Sequence, residues 1–130
     1  MKQNPKWARI TGLVIHVLIG GVMIFAGGFK VVAPPAELVE NLQKLNLVGE
    51  VKLIGVGELV AGLLLIIPIT MSLGTLATSG FWGGVISIHM SQHDGYILWS
   101  VFLLLTWVGA YLRNPATLAS FFRSTSLTNA

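Results

Sequence analysis

The placement of charge constrains this chain more than any other feature. Four apolar stretches, residues 10–32, 51–69, 71–90 and 96–112, hold only His16, Lys30, Lys52, Glu58 and His89 as groups that carry or gain charge near neutral pH. A helix needs about 20 apolar residues to cross the hydrocarbon core of a bilayer, and an open sheet cannot satisfy its backbone there. The pattern therefore predicts an all-α, polytopic membrane protein: one domain over residues 1–130, built as a four-transmembrane-helix bundle. Composition agrees, with 54% hydrophobic and 10% charged residues, where soluble domains carry about 25% charged.

The connections shape the expected bundle. Between the second and third stretches lie Pro68 and a few small residues, and between the third and fourth only Ser-Gln-His-Asp-Gly, so these neighbours are expected to form antiparallel hairpins. The longer link begins with Pro34 and Pro35, which stop the first helix. After them Leu38, Val39, Leu42 and Leu45 recur at helical spacing against Glu37, Glu40, Asn41 and Lys44. This spacing predicts a short amphipathic helix at the membrane surface, with a plain connector as the alternative.

Lys2, Lys6, Arg9, Arg113 and Arg123 flank one side of the bundle, whereas Lys30, Lys44 and Lys52 on the other are accompanied by Glu37, Glu40 and Glu50. That bias places both termini in the cytoplasm. A basic start before an apolar run also resembles a signal peptide, with Val31-Val-Ala33 as the cleavage site, but the run exceeds the usual h-region of about 7–15 residues, so a retained helix is expected. The net charge of +3 is spread without a basic run, which gives nucleic-acid binding no support. The absence of cysteine excludes thiolate-held clusters and thiol relays within the chain.

Periodicity shows which faces turn inward. Gly12, His16, Gly20, Met23, Gly27 and Lys30 share one stripe of the first helix, and Gly55, Ala61 and Gly62 lie one turn either side of Glu58. Small residues mark close helix contacts in membranes, so Glu58 is expected to face protein. In the third helix Thr75, Ser79, Gly83, Ser87 and Ser91 make a small-residue strip, with Thr78, Trp82, His89 and His93 opposite; neighbours are expected on both flanks. Trp99, Phe102, Thr106, Ala110 and Arg113 align in the fourth, where Tyr96 and Trp99 are also placed to anchor an interface.

An unpaired charge at the bilayer centre costs at least about 2.5–3.5 kcal/mol. Glu58 lies about 10 Å below the outer end of its helix by helical rise, within reach of a snorkelling Lys30, with His89 at similar height. A polar cluster of Lys30, Glu58 and His89 is therefore expected under the outer surface, serving either chemistry or helix register alone. His16, about 10 Å further in, is not expected to reach it.

Gly27-Gly-Phe-Lys30, then Gly57-Glu-Leu-Val-Ala-Gly-Leu-Leu-Leu-Ile-Ile-Pro68, then a small-residue helix ending in His89 together resemble the DoxX-like family of small four-helix membrane proteins, over residues 10–112. The resemblance implies a bundle in the bacterial cytoplasmic (inner) membrane, in a family that takes its name from subunits linked to quinone-dependent sulfur oxidation and has relatives that look like receptor-assembly helpers. It places the family's lysine, acid and histidine at Lys30, Glu58 and His89, and gives His16, His93 and Asp94 no counterpart.

Three functions compete. The first is a redox-linked accessory subunit binding quinone or another lipophilic ligand, with Phe25, Phe29, Trp82, Trp99 and Phe102 as walls, Lys30, Glu58 and His89 as proton and hydrogen-bond groups, and electrons from a redox partner protein. The second is a divalent-metal site on His89 and His93, completed by Asp94 or Glu58, since histidines four apart share a helix face. The third is a non-enzymatic assembly or accessory factor whose small-residue strips dock another membrane protein or a second copy in the lipid. Transport is the weakest form of the third, because the chain has no clear inverted repeat.

Overall fold

The computed structural model describes residues 2–119; Arg123 lies outside them. Every regular element among these residues is helical: α1 (Lys6–Val32), α2 (Ala36–Lys44), α3 (Val51–Ile66), α4 (Met71–Ser91) and α5 (Ile97–Arg113), with single 3₁₀ turns at Val48–Glu50, Pro68–Thr70 and Pro115–Leu118. The expected short helix between the first two long ones is thus α2. It buries Leu42 and exposes Glu37, Glu40 and Lys44, as its alternation requires.

α1 runs from just after Pro5 to Val32 and is long and apolar enough to cross a membrane. Val48–Ile66 and Pro68–Ser91 meet that criterion only as a pair, turned by 107° at the break between them, and α5 is a shorter apolar helix of 17 residues.

Glycine decides how the helices meet. α1 lies along α3 through reciprocal notches: a Cβ on Gly20 would stand 2.8 Å from the Gly62 carbonyl oxygen, and one on Gly27 would stand 2.6 Å from that of Gly55. Neither approach admits a methyl group. The buried face of α1 comprises Ala8, Gly12, His16, Ile19, Gly20, Met23 and Gly27, and that of α3 includes Gly55, Glu58, Ala61, Gly62 and Leu65. These are the stripes the spacing predicts. Ile19, Met23, Ala61, Leu65 and Trp82 form the core they enclose.

The α3–α4 link departs from expectation. Pro68 ends α3 at Ile66, three residues short of the expected 69, and starts a 3₁₀ turn, and Gly74 packs so tightly on the backbone of Leu64 and Leu65 that an added Cβ would lie 2.3 Å from the Leu65 nitrogen. The helices touch there and diverge at 107°, instead of returning antiparallel. Divergence also explains the fate of the small-residue strip on α4. Gly74, Thr75, Thr78 and Trp82 are buried, but Gly80, Gly83 and Gly84 have nothing within 4 Å of an added Cβ. Past Thr75 the strip leaves the packed interior: Ser79 and Gly83 are half-buried, Ser87 and Ser91 are exposed, and Ser79 and Ser87 hydrogen-bond the carbonyls of Thr75 and Gly83 one turn earlier.

Candidate functional site

Two polar clusters lie inside the helices. In the first, Lys30 Nζ, from the last turn of α1, donates to Glu58 Oε2 on α3, forming an ion pair in which the carboxylate side chain is only 3% exposed and the amine 16%. Local sequence makes the meeting possible. Gly55, one turn before Glu58, lets the Lys30 stem cross α3 so closely that a Cβ there would sit 2.7 Å from the Lys30 Cβ. Lys30 Nζ also stands 5.5 Å from the centroid of the Phe81 ring, where the π-face favours a cation.

The pair forms part of the wall of a cavity of about 270 Å³ that draws on every helix. Lys30 and Glu58 lie beside Phe81, Trp82 and His89 of α4 and Trp99 of α5, while Leu38, Asn41 and Leu42 of α2 add the remaining side. Trp82, Trp99 and Phe102 form an aromatic stack, with Trp82 5.8 Å from Trp99 and 5.1 Å from Phe102 at interplanar angles of 14° and 16°. Trp99 therefore faces inward, toward His89 at 5.3 Å. Two buried polar atoms one turn apart on α4, Thr78 Oγ1 and Trp82 Nε1, have no hydrogen-bond partner, a costly arrangement in an apolar interior.

The structure thus brings together Lys30, Glu58, Trp82, His89 and Trp99 around the cavity, with Phe102 stacked behind them on Trp82, but not Phe25, Phe29, His93 or Asp94. His89 lines the cavity without joining the ion pair; its Nδ1 is 3.0 Å from Asp94 Oδ2. Phe29 is 48% exposed and meets Phe25 edge-on at 4.8 Å, outside the cavity. Its place one residue before Lys30 turns it about 100° away around the helix.

The proposed metal set also fails to assemble. Among the described residues no three His, Cys, Asp or Glu side chains are grouped to hold a metal ion. His93 has left α4 and sits in the left-handed region at φ 56°, so the four-residue spacing no longer places it over His89. Asp94 is held by the backbone N–H of Gly95 at 2.7 Å and by His89, which together keep its carboxyl below the ordinary carboxylate range.

The second cluster was not expected from spacing. His16 is fully buried; its Nε2–H donates to the Thr106 carbonyl at 2.8 Å, leaving Nδ1 to accept from Arg113 Nη1 at 2.9 Å. Arg113 also donates to the carbonyls of Leu65 at 2.6 Å and Ile66 at 3.1 Å, capping the end of α3. Glycines make the room. A Cβ on Gly109 would lie 2.5 Å from the His16 ring, and one on Gly12 would lie 2.7 Å from the Gly109 carbonyl oxygen. The sequence signal was Gly109 one turn before Arg113 on α5, facing Gly12 one turn before His16 on α1.

Comparison of the chain with protein-family models, with curated proteins and with solved structures finds no match in any of the three.

Proposed function

We propose that this is a multi-pass protein of the bacterial cytoplasmic membrane, DoxX-like in type, with α1, α3, α4 and α5 as its four spans and both termini cytoplasmic. Its cavity beside Lys30 and Glu58 binds a planar lipophilic ligand of the quinone class, as an accessory to a redox partner. The membrane reading is supported by where apolar surface lies. Only 33% of the apolar window of α1 is buried, while Leu18 and Phe25 on its outer side are 65% and 70% exposed. Leu53 of α3, Leu76 of α4 and Leu104 of α5 are exposed to a similar degree. His16, Glu58, Thr75, Thr78 and Thr106 are buried. A protein that hides its polar groups and displays leucine fits hydrocarbon as its solvent. The divergence of α3 from α4 leaves about 73° between them, the supplement of 107°, which two spans share if each tilts within the usual range of about 0–40°.

The ligand reading rests on one observation: the only buried acid of the chain, with its lysine, lies against a hollow walled by tryptophan instead of packed side chains. At about 270 Å³ the hollow is near the lower end of ligand pockets, about 300–1,000 Å³, and suits one ring system. Trp82 and Trp99 line it, and the Lys30–Glu58 pair offers a donor for a carbonyl oxygen and a carboxylate that can relay the proton a quinone takes up on reduction. Protein purified from membranes should carry quinone, detected by mass spectrometry of an organic extract, and the Glu58→Gln variant should lose it. Equal quinone content in both would defeat this reading.

A second reading, docking of another membrane helix, is favoured by the open face at Gly80, Gly83 and Gly84. Crosslinking from Gly83→Cys to a partner helix, without loss of quinone, would support it as an addition.

A further inference from the structure

The molecule segregates its charge. Its five acids are Glu37, Glu40, Glu50, Glu58 and Asp94, and none lines the larger cavity of about 570 Å³ at the end where α1 begins and α5 finishes. That cavity is bordered by Lys6, Arg9 and Arg113, with Ile10, Leu13 and Met71 supplying apolar wall. Lys6 and Arg9 are exposed, and neither has an ion-pair partner among the described residues. Among the described residues Arg113 is held by neutral acceptors alone: the His16 ring and the carbonyls of Leu65 and Ile66. Those bonds use three of the five N–H donors of a guanidinium, so the group is fixed in place with its charge uncompensated and donors to spare.

Three cations converging above an apolar wall match the chemistry of one molecule class, a phosphate-bearing amphiphile. We propose that this cavity binds an anionic phospholipid, its phosphate between Lys6, Arg9 and Arg113 and its acyl chains against Ile10, Leu13 and Met71. Arg113 acts as the fixed anchor, positioned from behind by His16, and Lys6 and Arg9 close on the headgroup from the first two turns of α1. Basic pockets at the cytoplasmic ends of membrane helices hold acidic headgroups by this combination of charge and apolar contact. The proposal rests on the membrane reading above, but not on quinone.

Native mass spectrometry of the full chain in detergent, titrated with phosphatidylglycerol and with phosphatidylcholine, tests it. The wild type should retain phosphatidylglycerol preferentially. The Lys6→Gln/Arg9→Gln double variant should bind it roughly thirtyfold more weakly, as two basic contacts imply, while its helical circular dichroism and thermal unfolding in the same detergent stay unchanged as a check on folding. Inorganic phosphate at the same concentration should neither bind nor compete appreciably. Equal retention of the two lipids, an unaltered preference in the double variant, or binding of free phosphate as tight as that of the lipid would each overturn the proposal. Alkaline carbonate extraction separates the two failures. A chain that stays in the membrane but shows no lipid preference sinks the lipid site alone, whereas a chain washed free sinks the membrane reading as well.

Discussion

The two interior clusters answer the same problem, a cation among apolar helices, in opposite ways. Lys30 meets a carboxylate, and the pair borders a hollow lined by tryptophans. Among the described residues Arg113 meets no carboxylate; an imidazole and two carbonyls hold it, and Gly12 and Gly109 let the backbones close around them until no methyl group would fit. The filled cluster fixes helices in place, since α1, α3 and α5 all contribute to it. The hollow one holds charge beside space, which a merely structural ion pair does not need. Packing, rather than residue type, therefore separates the two: it closes around the His16 ring and leaves space beside Arg113 only in the basic cavity at the helix ends, whereas the inner hollow touches both members of the Lys30–Glu58 pair.

The largest expected effect tests the ion pair itself. Lys30→Met leaves Glu58 buried without its partner and should destabilise the bundle by about 3–5 kcal/mol. Adding Glu58→Met should recover much of that loss, because the pair is then replaced by apolar groups. Unfolding in mixed micelles measures both, and additive losses would show that the two side chains act independently.

Next in size is the filled cluster. Gly109→Ala would press a methyl group onto the His16 ring, which its hydrogen bonds to Thr106 and Arg113 hold in place, with the Ile15 side chain 3.3 Å away, and should cost about 1–3 kcal/mol. Gly57→Ala sharpens the contrast. Gly57 has nothing within 4 Å of an added Cβ although it adjoins Glu58, so the same change there should stabilise α3 by about 0.5–1 kcal/mol through helix propensity. Similar outcomes at both positions would mean that the notch around His16 is not tight.

The smallest effect lies at the rim of the hollow cluster. Asp94 is held below its ordinary value of 3.8 by the Gly95 N–H first and His89 second. Its contribution to stability is therefore complete above that ordinary value and is lost as pH falls through the lower, folded one. Asp94→Asn should remove this contribution where it is present, lowering stability slightly near neutrality, leaving the acid end unchanged and so flattening the profile between them. A variant whose profile overlays that of the wild type throughout would show that the contact does not persist in solution.

Much of this architecture was legible before any coordinates, for a specific reason. On α1 and α3 the glycines, His16 and Glu58 recur at helical spacing, and a long helix carries its face without ambiguity from one end to the other. Depth along the helix then paired Lys30 with Glu58. Period does not show where a helix leaves its neighbour, which is why the strip from Ser79 to Ser91 on α4 was expected to be covered yet is half-buried at Ser79 and Gly83 and exposed at Ser87 and Ser91. Nor does it show how far a turn redirects the chain, as at Pro68. Arg113 was read as a flanking charge because its partner, His16, is 97 residues away, and a rim arginine and an anchoring one look alike in sequence. The metal set on His89, His93 and Asp94 presumed a helix that continues past Ser91; α4 stops there, and His93 turns away. Phe29 is next to Lys30 in sequence but not in direction.

The most direct test of the hollow as a ligand site is tryptophan fluorescence during titration with a short-chain naphthoquinone. Trp82 and Trp99 line the cavity, so saturable quenching is predicted for the purified wild type, at least tenfold weaker in Glu58→Gln and retained in the Lys6→Gln/Arg9→Gln double variant. Quenching that rises linearly with quinone and is indifferent to Glu58 would mean simple partition into the detergent, and the Lys30–Glu58 pair would then be a second fastening beside an empty gap.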